Sequence, residues 1–233
     1  MKPFSFKQFN IQQTKNVFRV GTDGVLLGAL VSVETFSNVL EVGTGTGLIS
    51  LMLAQRNFTA KFLGIDINEE AANITKINFE NSPFSSRLKN IHQDFKMFET
   101  DAKFDLIVSN PPYFEESSSE KDKIARQTVE LNFAQLISKS ANLLSKNGIL
   151  SVVIPVEVGE DFIEIAAENN LFLCRKINIK GILVSKVKRL ILEFSLQKKV
   201  LHESDFVIEK SPRQYSDQYL ELTKEFHVFK NQD

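Results

Sequence analysis

Asn110-Pro111-Pro112-Tyr113 is the stretch of this chain whose residue types point most directly to chemistry. It follows an apolar run, Phe104 to Ser109, that reads as a strand. Two prolines fix φ and remove two backbone donors, which leaves carbonyls able to face a ligand. An amide side chain beside such a carbonyl makes a pair of acceptors, and that pair suits a planar –NH₂ group with two hydrogens to place. Tyr113 supplies a flat face for a base, and base–aromatic stacking contributes about 1–3 kcal/mol. An exocyclic amine conjugated to a ring or a carbonyl is a poor nucleophile because its lone pair is delocalised. Accepting both hydrogens draws the nitrogen toward tetrahedral geometry and returns electron density to it. The structural alternative is a Pro-Pro turn that only ends a strand. Such turns are common, but an Asn-Pro-Pro-aromatic run one strand away from a glycine turn is not.

That glycine turn is Glu41-Val42-Gly43-Thr44-Gly45-Thr46-Gly47, which follows a short apolar strand and opens a helix. Glycines there can take positive φ and let the backbone approach a ligand, and ligands of open α/β sheets bind at the carboxyl ends of the strands. The dinucleotide pattern G-x-G-x-x-G is not met, because the third glycine comes one residue early and Leu48 stands in its place. Asp66 ends the next strand in Gly64-Ile65-Asp66-Ile67-Asn68, where a carboxylate can accept from both ribose hydroxyls. Glu41 would repel a pyrophosphate but attract an amino-acid ammonium group. An adenosyl amino acid without phosphates, with S-adenosylmethionine as the candidate, fits this set better than NAD. Asp94, in His92-Gln93-Asp94-Phe95, follows the third strand, where an adenine amino group can be read. A surface Asp at a strand end accounts for it equally well. Ile67 and Phe95, beside these two acids, complete the candidate cofactor set.

The elements that must position these residues follow from periodicity. Strands are expected at 38–42, 62–67, 88–92, 104–109 and 149–154, with a closing pair at 172–179 and 190–196. Helices are expected at 48–55, 69–80, 133–144 and 161–169, the second with Ala71, Ile74 and Ile77 on one face and the third ended by Asn147-Gly148. Glu115 to Lys123 reads as an exposed, mobile loop. Alternation of this kind implies a mostly parallel sheet with helices on both faces. Residues 1–36 read as an appended strand pair and a short helix, and 37–233 as the core of a single domain.

Composition narrows the class. The chain has 233 residues, 42% apolar and 24% charged, as expected of a soluble globular protein. Its N-terminus has no apolar run suited to a signal peptide, and no segment approaches the roughly 18–20 apolar residues of a membrane span, so a cytoplasmic protein is expected. Cys174 is the single cysteine, and the three histidines show no metal-ligand spacing, so no metal site is expected. No obligate protein partner is indicated. A formal net charge of -1 argues against nucleic-acid binding through overall basicity, but not against a basic face.

The motifs resemble those of Rossmann-like class I methyltransferases that modify amino or amide nitrogen. Over its whole length the chain resembles the bacterial tRNA1(Val) adenine N(6)-methyltransferase family. The resemblance is carried by Phe6-Lys7-Gln8-Phe9, the segment Val20 to Gly28, the two motifs above, Ala125-Arg126 and Tyr215 to Tyr219. It implies a seven-stranded, mostly parallel sheet with an antiparallel C-terminal strand. It also implies methyl transfer from S-adenosylmethionine to the 6-amino group of adenine 37, beside the anticodon of valine tRNA. Cofactor contacts would fall to Glu41, Gly43, Gly45, Gly47, Asp66 and Asp94, with Asn110 and Pro111 gripping the amine and Tyr113 stacking on the base. Thr22 and Asp23 would line the cofactor pocket, although a helix N-cap serves equally for Asp23. Gln127 stands where the family is expected to have Tyr or His. Three other functions share features with this one. A glutamine amide also presents –NH₂, but release-factor enzymes of that kind carry a helical N-terminal domain, whereas these 36 residues read as strands. A guanine 2-amino methyltransferase of ribosomal RNA would share both motifs. A non-catalytic RNA-binding or cofactor-sensing module would not need both motifs intact.

Two basic groups are candidates for RNA. Eight Lys and Arg lie between Arg175 and Lys199, with Glu193 the only acid among them. Of these, Lys186, Lys188 and Arg189 are the candidate tRNA contacts, together with Lys121, Lys123 and Arg126 beyond the N-P-P-Y segment. Lysines that solvate a strand edge are the alternative.

Overall fold

The computed structural model describes residues 2–15, 17, 20–111 and 133–227. Pro112, Tyr113, Lys121, Lys123, Arg126 and the expected loop from Glu115 to Lys123 lie outside the described residues. A small antiparallel pair, β1 (Phe4–Ser5) and β2 (Asn10–Ile11), precedes helix α1 (Thr22–Leu30), as the sequence suggested. The alternating core then runs β3 (Asn38–Val42), α2 (Leu48–Arg56), β4 (Lys61–Asp66), α3 (Glu69–Glu80), β5 (Leu88–His92) and β6 (Phe104–Ser109). Helix α4 covers 133–143. It is followed by β7 (Leu144–Pro155), α5 (Gly159–Glu168), β8 (Phe172–Lys180), β9 (Val187–Ser195) and β10 (His202–Val207). A short pair, β11 (Glu209–Ser211) and β12 (Gln214–Tyr215), leads into α6 (Asp217–Thr223).

Among the described residues one sheet holds eight strands in the order β10-β8-β9-β7-β6-β3-β4-β5. Only β9 runs antiparallel to its neighbours in it. The expected seven strands are all present, and β10 is an eighth, laid parallel to β8 with His202 opposite Arg175. Its sequence, HESDFV, lacks the apolar alternation of a half-buried strand because it is an edge, exposed along its first four residues.

The central strands are apolar on both faces because both are covered. Successive residues point to opposite sides, so Val39 and Leu106 pack with Leu51, Phe79 and Phe9 under α1–α3, while Leu40 and Ile107 pack with Ile137 and Phe162 under α4 and α5. Within α3 the buried face is Ala71, Ala72, Thr75, Asn78 and Phe79, and Ile77 is exposed. Of the expected stripe, Ala71 is buried and Ile74 half-buried, and Ile77 falls outside it. Two polar residues take the inner face because they have backbone partners there. The other correction concerns Asn147-Gly148, which lies inside β7 instead of capping α4. Gly148 is required by crowding, since a Cβ there would come 2.7 Å from the Phe104 carbonyl oxygen.

Candidate active site

Register assembles the site. Val42 lies opposite Ser109 on β6 and opposite Ile65 on β4. The next residues, Gly43, Asn110 and Asp66, therefore leave three adjacent parallel strands at the same end, about 5 Å apart from strand to strand. Asp66 in turn faces His92 on β5, two residues before Asp94. The Ser109 hydroxyl donates to the Val42 carbonyl at 2.8 Å, fastening the N-P-P-Y entry to the base of the glycine turn.

All three turn glycines have positive φ, 75° at Gly43, 58° at Gly45 and 79° at Gly47. They differ in what surrounds them. A Cβ on Gly47 would lie 2.6 Å from the Phe79 ring, whereas Cβ atoms on Gly43 and Gly45 would meet nothing within 4 Å. Gly47 thus serves helix packing, and Gly43 and Gly45 border open space fit for a ligand. The Gly45 amide donates to Asp66 Oδ2 at 2.8 Å, and the Asn68 amide to Asp66 Oδ1 at 2.8 Å. An ionised carboxylate has about four acceptor positions, so lone pairs remain on both oxygens for two ribose hydroxyls.

Glu41 lies beneath the turn, 1% exposed. Its Oε2 accepts from the Ser50 amide at 3.0 Å and from the Ser50 hydroxyl. The carboxyl thereby satisfies an orphan donor in the first turn of α2. Burial pushes it up to about 8, against the Ser50 hydrogen bonds and with a further push from the Asp66 charge. A cation brought to the turn would favour the ionised form.

Sequence reading missed the residues that hold the turn from behind. Thr75 donates to the Gly45 carbonyl at 3.0 Å, and Asn78 donates to the Thr46 carbonyl at 2.8 Å. The same Asn78 amide exchanges two hydrogen bonds with the Gln12 backbone, at 2.7 and 3.1 Å, so the N-terminal segment is tied to the cofactor turn through one side chain. Their signal was a pair of polar residues three apart inside an otherwise apolar helix face. Glycines of the Gly21–Gly28 segment have a packing cause: a Cβ on Gly24 would lie 3.2 Å from Leu48, and one on Gly28 would lie 2.9 Å from Met52, where α1 crosses α2.

The other candidates fall as follows. Ile67 is exposed at the carboxyl end of β4, and Asp94 caps a short 3-10 turn through a 2.9 Å bond from the Lys96 amide, with Phe95 half-buried behind it. Asn110 is half-buried and Pro111 buried. Thr22 starts α1, but Gly21 occupies the N-cap position, so Asp23 is not the cap. Asp23 instead pairs with Arg189 Nε at 3.0 Å. Arg189 is thereby turned inward as a strut between β9 and α1. Other members of the basic run are also paired, Arg175 with Glu193, Lys176 with Glu203 and Lys180 with Asp205. Glu203 and Asp205 come from β10 and Asp23 from α1, outside the run, whereas Glu193 lies on β9 within it. Lys186 and Lys188 are exposed. A groove of about 570 Å³ bordered by Phe98, Lys139 and Leu143 lies beside the amino ends of β6 and β7 and contains none of the candidate site residues. Among the described residues no helix is long and apolar enough to cross a membrane.

Comparison with known proteins agrees with this geometry. The family model of the methyltransferase small domain matches residues 10–169. The chain is 54% identical to a tRNA1(Val) (adenine(37)-N6)-methyltransferase of Flavobacteriaceae bacterium (strain 3519-10), over 98% of this chain and 100% of that one. It is 42% identical to the protein of the same name from Flavobacterium psychrophilum, over 97% and 99%. Among solved structures it is similar to a predicted O-methyltransferase from Agrobacterium tumefaciens, with a TM-score of 0.72 over 88% of this chain and 96% of that one, at 16% identity, a likeness of fold alone.

Proposed function

We infer that this chain, which belongs to the methyltransferase small-domain family and within it to the tRNA1(Val) (adenine(37)-N6)-methyltransferases, methylates the 6-amino group of adenine 37 in valine tRNA. The cofactor is S-adenosylmethionine, which supplies an electrophilic methyl group on a sulfonium. The observation that carries the assignment of roles is the Val42–Ser109 register, which sets the glycine turn and Asn110 at neighbouring strand ends with Asp66 on the far side. Gly43 and Gly45 give the cofactor backbone to lie against, Asp66 accepts its ribose hydroxyls, and Ile67, Asp94 and Phe95 border its adenine. Glu41 favours positive charge at the amino-acid end, and Thr22 and Asp23 line the pocket, with Asp23 neutralised by Arg189.

Asn110 Oδ1 and the Pro111 carbonyl accept the two hydrogens of the target amine. They pull the nitrogen out of conjugation and aim its lone pair at the methyl group. Holding the reactants in line supplies about 7–11 kcal/mol of the barrier reduction. After transfer the extra proton leaves to solvent, since no side chain is assigned as a base. Tyr113, which follows Pro112 in the motif, stacks on the base. One domain, 37–233 with its 1–36 extension, carries the reaction in the cytoplasm, and Lys121, Lys123, Arg126, Lys186 and Lys188 contact tRNA phosphates.

Incubation with labelled cofactor and undermodified total RNA, followed by digestion to nucleosides, tests the reading. Labelled 6-methyladenosine in the tRNA fraction is expected. Label in protein or in 2-methylguanosine would move the assignment to a glutamine or guanine target.

A further inference from the structure

The turn between β8 and β9 carries two of the most exposed large apolar residues among those described, Leu183 at 72% and Val184 at 88%. A single exposed Leu needs no explanation. This pair does, because it stands at the two central positions of a turn, where Gly, Asn or Asp would ordinarily be expected and a β-branched residue is unfavourable. The turn is also closed by hydrogen bonds. Ser185 closes it, its amide donating to the Ile182 carbonyl at 3.0 Å and its hydroxyl donating to the same carbonyl at 2.8 Å. Backbone bonds from Ile208 to Lys180, at 3.0 Å, and from Glu209 to Gly181, at 2.8 Å, pin its base. The backbone that carries Leu183 and Val184 into solvent is thus tied at its closing residue and at its base, which lowers the backbone ordering that binding would require.

Its place relative to the catalytic end follows from register. Ser109 faces Val152 on β7, and β7 continues to Pro155, which faces Arg189 on β9. The β8–β9 turn therefore rises from the same end of the sheet as Asn110, two to three strands or roughly 10–15 Å to the side, and its base at Val187 stands five residues, roughly 15 Å, beyond Leu192, which is level with Ser109. Exposed Lys186 and Lys188 follow the tip directly, and residues 181–188 contain no acid. An apolar tip with cations behind it suits a nucleic-acid loop, in which bases present apolar faces and phosphates present charge. The neighbouring acid Asp23 is held by Arg189, so that arginine serves to brace the turn's outgoing strand instead of meeting a phosphate.

We propose that Leu183 and Val184 form a wedge that packs against a base of the loop carrying the target adenine and holds that loop open while the adenine is turned into the N-P-P-Y site. This rests on the reading of the substrate as tRNA. Apolar side chains elsewhere enter between bases in this way, and an amine cannot reach a buried site from within its stack.

The test is the double variant Leu183→Ser/Val184→Ser with a valine tRNA transcript carrying 2-aminopurine at the nucleotide 3′ of the target adenine. Wild type is expected to raise the fluorescence on binding, as the base unstacks. The variant should lose that rise and at least tenfold in kcat/KM for tRNA, with S-adenosylhomocysteine affinity unchanged as the check on folding. Lys186→Ala/Lys188→Ala should instead lower the slope of log affinity against log salt by about 1–2, a slope the wedge variant leaves alone. A double serine variant equal to wild type in fluorescence and kcat/KM overturns the wedge and spares the substrate. Wild-type protein that leaves tRNA unmethylated while labelling protein or ribosomal RNA overturns both.

Discussion

Replacing Glu41 with Gln should reverse a cost that grows with pH. The Glu41 carboxyl moves from 4.5 to about 8 on burial, so the folded protein holds its proton more tightly than the unfolded chain does. Between those two values each rise in pH therefore takes stability from the folded state, by about 1.4 kcal/mol per pH unit at most. Between pH 6 and pH 8.5 the loss works out at about 2–3 kcal/mol, flattening above 8. A chain of this size shifts its Tm by roughly 2–4 °C per kcal/mol. Gln keeps an oxygen to accept from Ser50 and carries no charge. The ligand-free Glu41→Gln protein should therefore gain about 5–10 °C on wild type as the pH is raised over that range, followed by thermal unfolding of both proteins in matched buffers. Taking the difference cancels the titrating groups that do not interact with Glu41. Saturating S-adenosylhomocysteine should shrink the gain, since its ammonium group stabilises the ionised carboxylate. Parallel Tm curves for the two proteins, or a wild type that gains on the variant with rising pH, would refute the argument.

Asn110→Ala should lower kcat by about 10²–10³-fold, the effect of losing one well-placed polar partner of the reacting group, while S-adenosylhomocysteine affinity measured by calorimetry stays put. Gly47→Ala should destabilise the fold by well over the roughly 1–2 kcal/mol of left-handed backbone strain, because the new methyl also meets Phe79; Gly45→Ala should cost only the strain yet weaken cofactor binding, and denaturant titration with ligand binding separates the two. Arg189→Ala should cost roughly 1–3 kcal/mol, between the values for exposed and buried ion pairs, whereas Lys188→Ala leaves the unfolding midpoint unchanged.

Much of this protein is legible in one dimension because its chemistry is local in sequence. The glycine turn, Asp66 and the N-P-P-Y segment each sit at a strand end, and an apolar run followed by special residues marks a strand end without reference to anything distant. The same locality gives α3 and β5 and β6 their bounds. What sequence alone could not supply are contacts between segments far apart. Eight cations in one run looked like a basic face, yet three of them, Lys176, Lys180 and Arg189, pair with Glu203, Asp205 and Asp23, brought in by an unexpected edge strand and a helix more than 160 residues away. The inner face of α3 was misassigned in part for a related reason: Thr75 and Asn78 are polar by type, and only the fold reveals the Gly45, Thr46 and Gln12 backbone groups that make their burial favourable. Likewise a glycine's residue type does not tell whether it faces a ligand, as Gly43 and Gly45 do with their open surroundings, or a phenylalanine, as Gly47 does. The sequence by itself determined which groups could do the chemistry and at which strand ends they stand. The tertiary structure decided their order across the sheet and the partners of each charge, because strand register and ion pairing depend on distances in space that residue spacing along the chain does not encode.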